Sequence, residues 1–332
     1  MIALLADEYV NQGWSVHLAI LLHPEIEYII SDQIEIHTIV HPGSQFRNAF
    51  HWVADIRNII LTKKPDVIVS FTGRINMLTM IAAMGTGVPV LVSERNDPAH
   101  DRRSRLEQWL CKRFYSKAKR VVFQTKYQAN YYAKWCRENS VIIGNPISAP
   151  IYRGPHPKKD FLCVGKLMDQ KNHTMMIRAF KLIADEFPNK SLYIYGEGSK
   201  RAELEALVCE LELKDRIYLP GNSDRIFDIM HQYAYFIMCS DYEGLSNALL
   251  EAMLSGMVCI TTSWKGVDEI IQDGVNGFLT PIGDAEALAD KLRTVLKADN
   301  NGIQKHSIET ALAFSGDAIM RRWREAINEL VQ

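Results

Sequence analysis

Ala-Tyr-Phe-Ile-Met-Cys-Ser-Asp-Tyr-Glu-Gly-Leu-Ser-Asn-Ala-Leu-Leu-Glu, residues 234–251, is the stretch that decides the fold. Its first seven residues, Ala234–Ser240, form a short apolar run of the kind that makes a buried parallel strand. Leu249, Leu250, Met253 and Leu254 then recur at helical spacing, and Gly256 supplies a stop. The segment therefore reads strand, tight loop, short helix. Gly244 loosens the turn, and Ser246 or Asn247 can cap the helix. Such a loop aims free backbone N–H groups and the positive helix end at one spot, which suits a phosphate. Glu251 shares a helix face with Asn247 and Ser255, opposite the apolar stripe, so it is expected outside the core. A carboxylate one turn beyond a phosphate site suits a ribose diol. Glu243, in the loop itself, can reach whatever the phosphate carries. A capped helix with two solvated glutamates is the plain alternative.

Further landmarks surround this stretch. Val164-Gly165-Lys166-Leu167 is followed by Lys171-Asn172, and Tyr195-Gly196-Glu197-Gly198 and Leu219-Pro220-Gly221 come next. Gly266-Val267-Asp268-Glu269-Ile270-Ile271 lies beyond it. In this order the motifs resemble those of family 4 glycosyltransferases, retaining enzymes of the GT-B fold, whose signature carries two glutamates eight residues apart. The resemblance covers essentially the whole second half and, more loosely, most of the first. It implies an α/β chain of two facing Rossmann-like domains with parallel sheets and a cleft between them. Residues 1–145 would form the acceptor-side domain and 146–315 the nucleotide-sugar domain, with 316–332 a helix crossing back.

The implied reaction moves a sugar from a nucleotide donor, expected to be UDP-linked, to a saccharide or polyprenyl-diphosphate-linked acceptor, without metal or cofactor and with retention of configuration. Glu251 would hold the ribose, and Glu243 the donor sugar. Lys166 and Lys171 would neutralise the departing diphosphate, where fixed cations lower the barrier. The backbone of Gly244, Leu245, Ser246 and Asn247 would cap it, and Gly165, Gly196 and Gly221 would wall the pocket. Family members usually carry Arg at the place of Lys166; Lys keeps the charge but loses the bidentate fork. For Lys166 and Lys171 the alternative is two solvated lysines. For Gly196 and Pro220-Gly221 a purely structural turn stays ahead.

The chain has 332 residues, enough for two cores. Its 47% hydrophobic and 23% charged residues are ordinary for a globular protein, and a net charge of −1 argues against a whole-surface nucleic-acid binder. Cys111, Cys136, Cys163, Cys209, Cys239 and Cys259 show no paired spacing and read as buried thiols of a reducing compartment, with neither a zinc site nor a disulfide frame. No apolar run approaches a membrane span, and Asp7 and Glu8 interrupt any signal-like start. A cytoplasmic protein is expected, with the inner membrane face as a possible docking place.

Strands are expected at Trp14–Leu22, Ile34–Val40, Asp66–Phe71, Val88–Ser93, Arg120–Gln124 and Ser140–Ile143 in the first half. Phe46–Thr62, Ile75–Met84 and a segment through Leu106, Trp109, Leu110 and Phe114 read as helices. Asn145–Lys159, with four prolines, reads as the linker. The second half offers Phe161–Val164, Ser191–Tyr195, Arg216–Leu219, Ala234–Ser240, Val258–Thr262 and Gly277–Thr280 as strands. Its helices are Asn172–Phe187, Lys200–Leu211, Ala285–Ala298 and a tail from about Ser307 to Leu330. Alternation of this kind argues parallel sheets with right-handed crossovers. A doubly wound domain opens on a central strand, yet Ile2, Leu4, Leu5, Tyr9 and Val10 trace a helix. The expectation is an upstream extension carrying that strand and the family's glycine-rich loop.

Ser93-Glu94-Arg95-Asn96-Asp97 and Thr72-Gly73-Arg74 follow strands of the first half, where open α/β sheets bind ligands. Glu94, Arg95 and His100 are candidates for acceptor or donor contact, with a salt-bridged loop as the alternative. From Arg95 to Arg137 twelve Lys/Arg face three Asp/Glu, with Trp109, Tyr131, Tyr132 and Trp135 among them. That mixture suits an anionic membrane face or a pyrophosphate-linked acceptor, or simply an amphipathic helix pair. No Asp-x-Asp pair, Gly-x-Ser-x-Gly elbow or Gly-x-Gly-x-x-Gly loop is present. Two other functions share these features: a UDP-sugar 2-epimerase-like isomerase and a non-catalytic nucleotide-binding module.

Overall fold

The computed structural model describes residues 1–21, 30–41, 45–100, 103–136, 138–147 and 149–331. Leu22, Arg137, Ser148 and Gln332, which enter the expectations above, lie outside them. The chain divides into two compact units: Met1–Gln124, Gln128–Pro146 and Ile319–Gln332 form one, and Thr125–Tyr127 with Ile147–Ala318 the other. No described helix is long and apolar enough to cross a membrane.

The first unit runs α1 (Ile2–Asn11), β1 (His17–Ile20), β2 (Glu35–Thr38), α2 (Gln45–Lys63), β3 (Ile68–Phe71), α3 (Gly73–Ala83), β4 (Val90–Ser93), α4 (Arg105–Tyr115), β5 (Arg120–Phe123), α5 (Lys126–Cys136) and β6 (Ser140–Ile142). Two parallel sheets result, β1-β2 and β3-β4-β5-β6. All four residues of β4 are buried, the pattern of a parallel strand covered on both faces. Ser104 and Glu107 close a reciprocal capping box at the start of α4. Most strands are a residue or two shorter than their apolar runs, because ladder pairing ends before hydrophobicity does.

The second unit follows with β7 (Lys158–Val164), α6 (His173–Ala184), β8 (Leu192–Tyr195), α7 (Arg201–Glu210), β9 (Ile217–Gly221), α8 (Ile226–Met230), β10 (Tyr233–Met238), α9 (Asn247–Leu254), β11 (Val258–Thr262), β12 (Phe278–Thr280), α10 (Ala285–Lys297) and α11 (Asn301–Ala311); α12 (Gly316–Val331) comes last and from Ile319 belongs to the first unit. Its six strands form one parallel sheet in the order β12-β11-β10-β7-β8-β9. Strand order reverses between β7 and β10, so the crevice at their carboxyl ends is the topological switch point.

Three expectations are corrected here. The linker is shorter than Asn145–Lys159, because β7 takes Lys158 and Lys159 into the ladder. Pro220 and Gly221 end β9 rather than forming a turn; β9 is an edge strand, where proline's missing N–H costs no ladder bond. The tail is two helices. Ser315 is drawn out of helical conformation into a bridge with Ile147, which separates α11 from α12. Residues of α12 pack inside the first unit. Fully buried Trp323 packs against Phe71 in a tilted pair with 5.6 Å between ring centroids, Tyr9 Oη donates to Asn328 at 3.4 Å, and Arg324 pairs with Glu8.

Candidate active site

The loops leaving β7 and β10, neighbours across the switch point, are tied together by side chains. After β7 comes Gly165–Met168, a 3-10 turn Asp169–Lys171, and then Asn172, whose left-handed backbone (φ 44°) caps α6. Gln170 Nε2 donates to the Tyr242 carbonyl at 2.7 Å, and Asp241 N donates to the Gln170 carbonyl at 2.9 Å. Asn172 Nδ2 donates to Asp241 Oδ1 at 2.9 Å. Lys171 Nζ lies 2.6 Å from Glu243 Oε1, which also accepts from Ser240 Oγ at 2.7 Å. Both partners of this ion pair are mostly buried, so their attraction is little screened by solvent. Of the predicted site residues, Lys171 and Glu243 are thus in direct contact.

Lys166 and Glu251 differ from that pair. Lys166 is exposed, and among the described residues it forms no ion pair. Glu251, on the second turn of α9, is half-buried, and its carboxylate makes no hydrogen bond or ion pair with a described residue. Burial without a compensating donor pushes its carboxyl pKa above the ordinary range. The helix face that carries it is less polar than its sequence implies. Asn247 is exposed, but Ser255 is fully buried beside Met230, because α9 sits between the sheet and α11.

At the start of α9, Ser246 is the N-cap and accepts from Leu249 N. Leu245 is buried and joins the core under the loop, which fixes the path of Gly244 and the helix entry. The glycine turns are structural requirements first. A Cβ on Gly196 (φ 144°) would stand 2.0 Å from the Gly165 carbonyl oxygen, and one on Gly198 2.3 Å from that of Leu167. Gly165 N donates to Tyr195 O and Gly196 N to Gly221 O, each at 2.9 Å, so three strand ends are laced backbone to backbone. Glu269 accepts the Lys126 and Tyr127 amides at 2.7 and 2.8 Å, which commits it to structure.

In the first unit, Glu94 is fully buried, accepting from Tyr115 Oη at 2.8 Å, Arg103 Nη2 at 3.0 Å and Arg95 N at 3.0 Å. The salt-bridged loop is therefore the right description of it, and it is not available to a ligand. His100 lies 2.7 Å from Asp97. Arg95 lies over the rings of Phe71 and Trp323 and donates to Asn145 Oδ1 at 2.7 Å. Its Nε and Nη2 have no partner among the described residues, and burial lowers its pKa to about 10. Thr72 holds a left-handed backbone (φ 70°) before α3, and Arg74 pairs with Glu107.

A six-stranded parallel sheet with linked loops at its switch point, preceded by a second parallel α/β unit, defines a GT-B type protein. Residues 158–298 match the family described as glycosyl transferases group 1, and residues 1–146 match the glycosyl transferase 4-like domain. The chain belongs to the family 4 glycosyltransferases. It is 24% identical over 318 residues to a Campylobacter jejuni GalNAc-alpha-(1->4)-GalNAc-alpha-(1->3)-diNAcBac-PP-undecaprenol alpha-1,4-N-acetyl-D-galactosaminyltransferase, covering 93% of this chain and 86% of that protein. Of two other curated relatives the chain spans only 38% and 29% of their length. Among solved structures, the sucrose-phosphate synthase of Thermosynechococcus elongatus superposes with a TM-score of 0.84 at 17% identity, covering 98% of this chain and 91% of that one. Anabaena HepE in complex with UDP and glucose gives 0.81 at 17% identity, covering 98% and 94%.

Proposed function

We propose that this chain transfers a sugar from a UDP-linked donor to a saccharide or polyprenyl-diphosphate-linked acceptor, with retention of configuration, in the assembly of a cell-surface glycan. The observation that carries the reading is the tie between the β7 and β10 loops at the switch point, with Lys166 and the Glu251 carboxylate, neither paired with a described residue, on the elements that leave it. Glu251 accepts from the two ribose hydroxyls, which supply the donors its half-buried carboxylate lacks. The N–H groups of Gly244–Asn247 and the positive end of α9 face the diphosphate. Lys166 and Lys171 offset the charge that accumulates as the glycosidic bond breaks. Glu243, oriented by Lys171 and Ser240, contacts the donor sugar. Gly165, Gly196 and Gly221 keep the pocket wall free of side chains. No metal or cofactor is part of this proposal.

The UDP bound to Anabaena HepE and the undecaprenyl diphosphate in the name of the Campylobacter relative support donor and acceptor class. Exposed Leu106 and Trp109 on α4, next to Arg105 and Arg113, support docking on an anionic membrane where such an acceptor resides. Incubation with a panel of labelled UDP-sugars tests the reading. An acceptor-dependent glycoside is expected, with the donor's anomeric configuration kept by NMR. Isomerised UDP-sugar without acceptor would identify an epimerase, and binding without turnover a nucleotide-binding module.

A further inference from the structure

His17, Glu35 and His37 form the one group of three metal-ligating side chains that lie together among the described residues. Register explains how they meet. His17 and Glu35 are direct partners across the β1-β2 ladder, and His37, two residues beyond Glu35, projects from the same face. Leu18, on the opposite face of β1, packs instead with Ala6 and Val10 of α1. His17 Nδ1 lies 3.2 Å from Glu35 Oε2, His37 Nε2 lies 3.5 Å from Glu35 Oε1, and the two imidazole nitrogens are 3.3 Å apart.

A zinc ion about 2.0–2.1 Å from each of four tetrahedral ligands sets those ligands about 3.3–3.4 Å apart. The 3.3 Å between the two imidazole nitrogens matches one edge of that tetrahedron, and Glu35 faces both rings, one oxygen to each, so that one ligand atom from each of the three residues lies within 4.8 Å of the others. The other nitrogen of His17, Nε2, lies 3.4 Å from Ser15 Oγ, the outer contact that commonly fixes the orientation of a ligating imidazole. Lys63 of α2 is the competing charge, with Nζ at 2.6 and 2.8 Å from the two Glu35 oxygens. Two neutral imidazoles and a carboxylate suit a borderline divalent ion better than calcium or magnesium, which prefer all-oxygen sites.

We propose that His17, Glu35 and His37 bind a divalent transition-metal ion of the zinc type, with water in the fourth position. The ion pins β1 to β2 in the smallest sheet of the molecule. It sits on elements apart from the β7 and β10 loops and plays no part in the sugar-transfer reading above.

The experiment is titration of zinc chloride into the full chain after chelator treatment, followed by calorimetry and by competition with a chromophoric chelator. One ion per chain is expected. His17→Ala and His37→Ala should each weaken binding by on the order of 10- to 100-fold, while His41→Ala, which alters a neighbouring histidine, leaves it unchanged. Zinc should raise the unfolding temperature of the wild type and not that of His37→Ala. Lys63→Ala, which leaves all three ligands in place and removes the competing ammonium, should bind zinc more tightly. Less than one ion per chain, wild-type affinity in either histidine variant, or no gain in Lys63→Ala would each overturn the proposal.

Discussion

Glu94 and Glu251 each follow a buried strand of a parallel sheet, one per unit, and their surroundings are opposite. Glu94 is completely enclosed and receives hydrogen bonds from a tyrosine, an arginine and a backbone amide. Glu251 is only half-enclosed, and its carboxylate receives none from described residues. Two cations differ in the same way: Arg103 is paired with Glu94, whereas Lys166 forms no ion pair with a described residue. Burial alone is therefore a poor guide to function. A buried carboxylate with every acceptor position filled is a structural element. A partly buried one with none filled is disfavoured in its charged form until a ligand brings donors.

The largest effect that would break this contrast is loss of fold stability at Glu94. Glu94→Ala removes the buried carboxylate to which the Arg103 guanidinium and the Tyr115 hydroxyl donate, and should cost about 3–5 kcal/mol in denaturant unfolding. A loss below about 1 kcal/mol would place Glu94 with the ligand-binding group instead.

Lys171→Ala comes next. It removes the partner of Glu243 and a cation expected to act on the leaving group, so kcat should fall on the order of 100-fold with a smaller change in KM. The reverse pattern, a raised KM at full kcat, would mean that Lys171 binds ground state and transition state alike.

Glu251→Gln sharpens the comparison from the other side. UDP affinity by calorimetry should weaken by about 1–3 kcal/mol, whereas unfolding at neutral pH should be unchanged or slightly more difficult. The sign follows from the raised carboxyl pKa. Between its ordinary pKa and the folded one, the folded state holds the proton more tightly, so stability is full below the ordinary range and declines as pH rises through the folded pKa. The glutamine variant lacks that decline. An identical pH dependence in the two proteins would remove the desolvation argument.

The smallest effect concerns Ser246→Ala. Loss of the α9 N-cap should cost about 1 kcal/mol of stability. It should also slightly weaken UDP binding by letting the helix entry fray.

The sequence made the β10–α9 segment legible because both its signals are local: an apolar run, then leucines at helical spacing. The Lys171–Glu243 bond was not legible, since the two residues are 72 positions apart and meet only once β7 and β10 pair. Neither was the fate of Glu94, whose donors come from α4 and the loop before it. The face of α9 was misjudged at Ser255 for a related reason. Helical periodicity identifies the stripe facing the sheet and is blind to α11, which covers a second side. His17, Glu35 and His37 raised no signal at all, because only the parallel register of β1 and β2 makes them neighbours.

Five of the six cysteines are buried, and Cys209, near the end of α7, is exposed. Enclosure pushes the thiols of Cys136 and Cys163 up to about 12 and raises those of Cys239 and Cys259 as well, which starves them of thiolate at neutral pH. A maleimide dye offered to the native protein should therefore settle on one atom, with no cysteine removed beforehand. The molecule carries its own attachment point for a fluorophore, on the same unit as Lys166 and Glu251, and nucleotide addition can be followed there by anisotropy or quenching in the unmodified sequence.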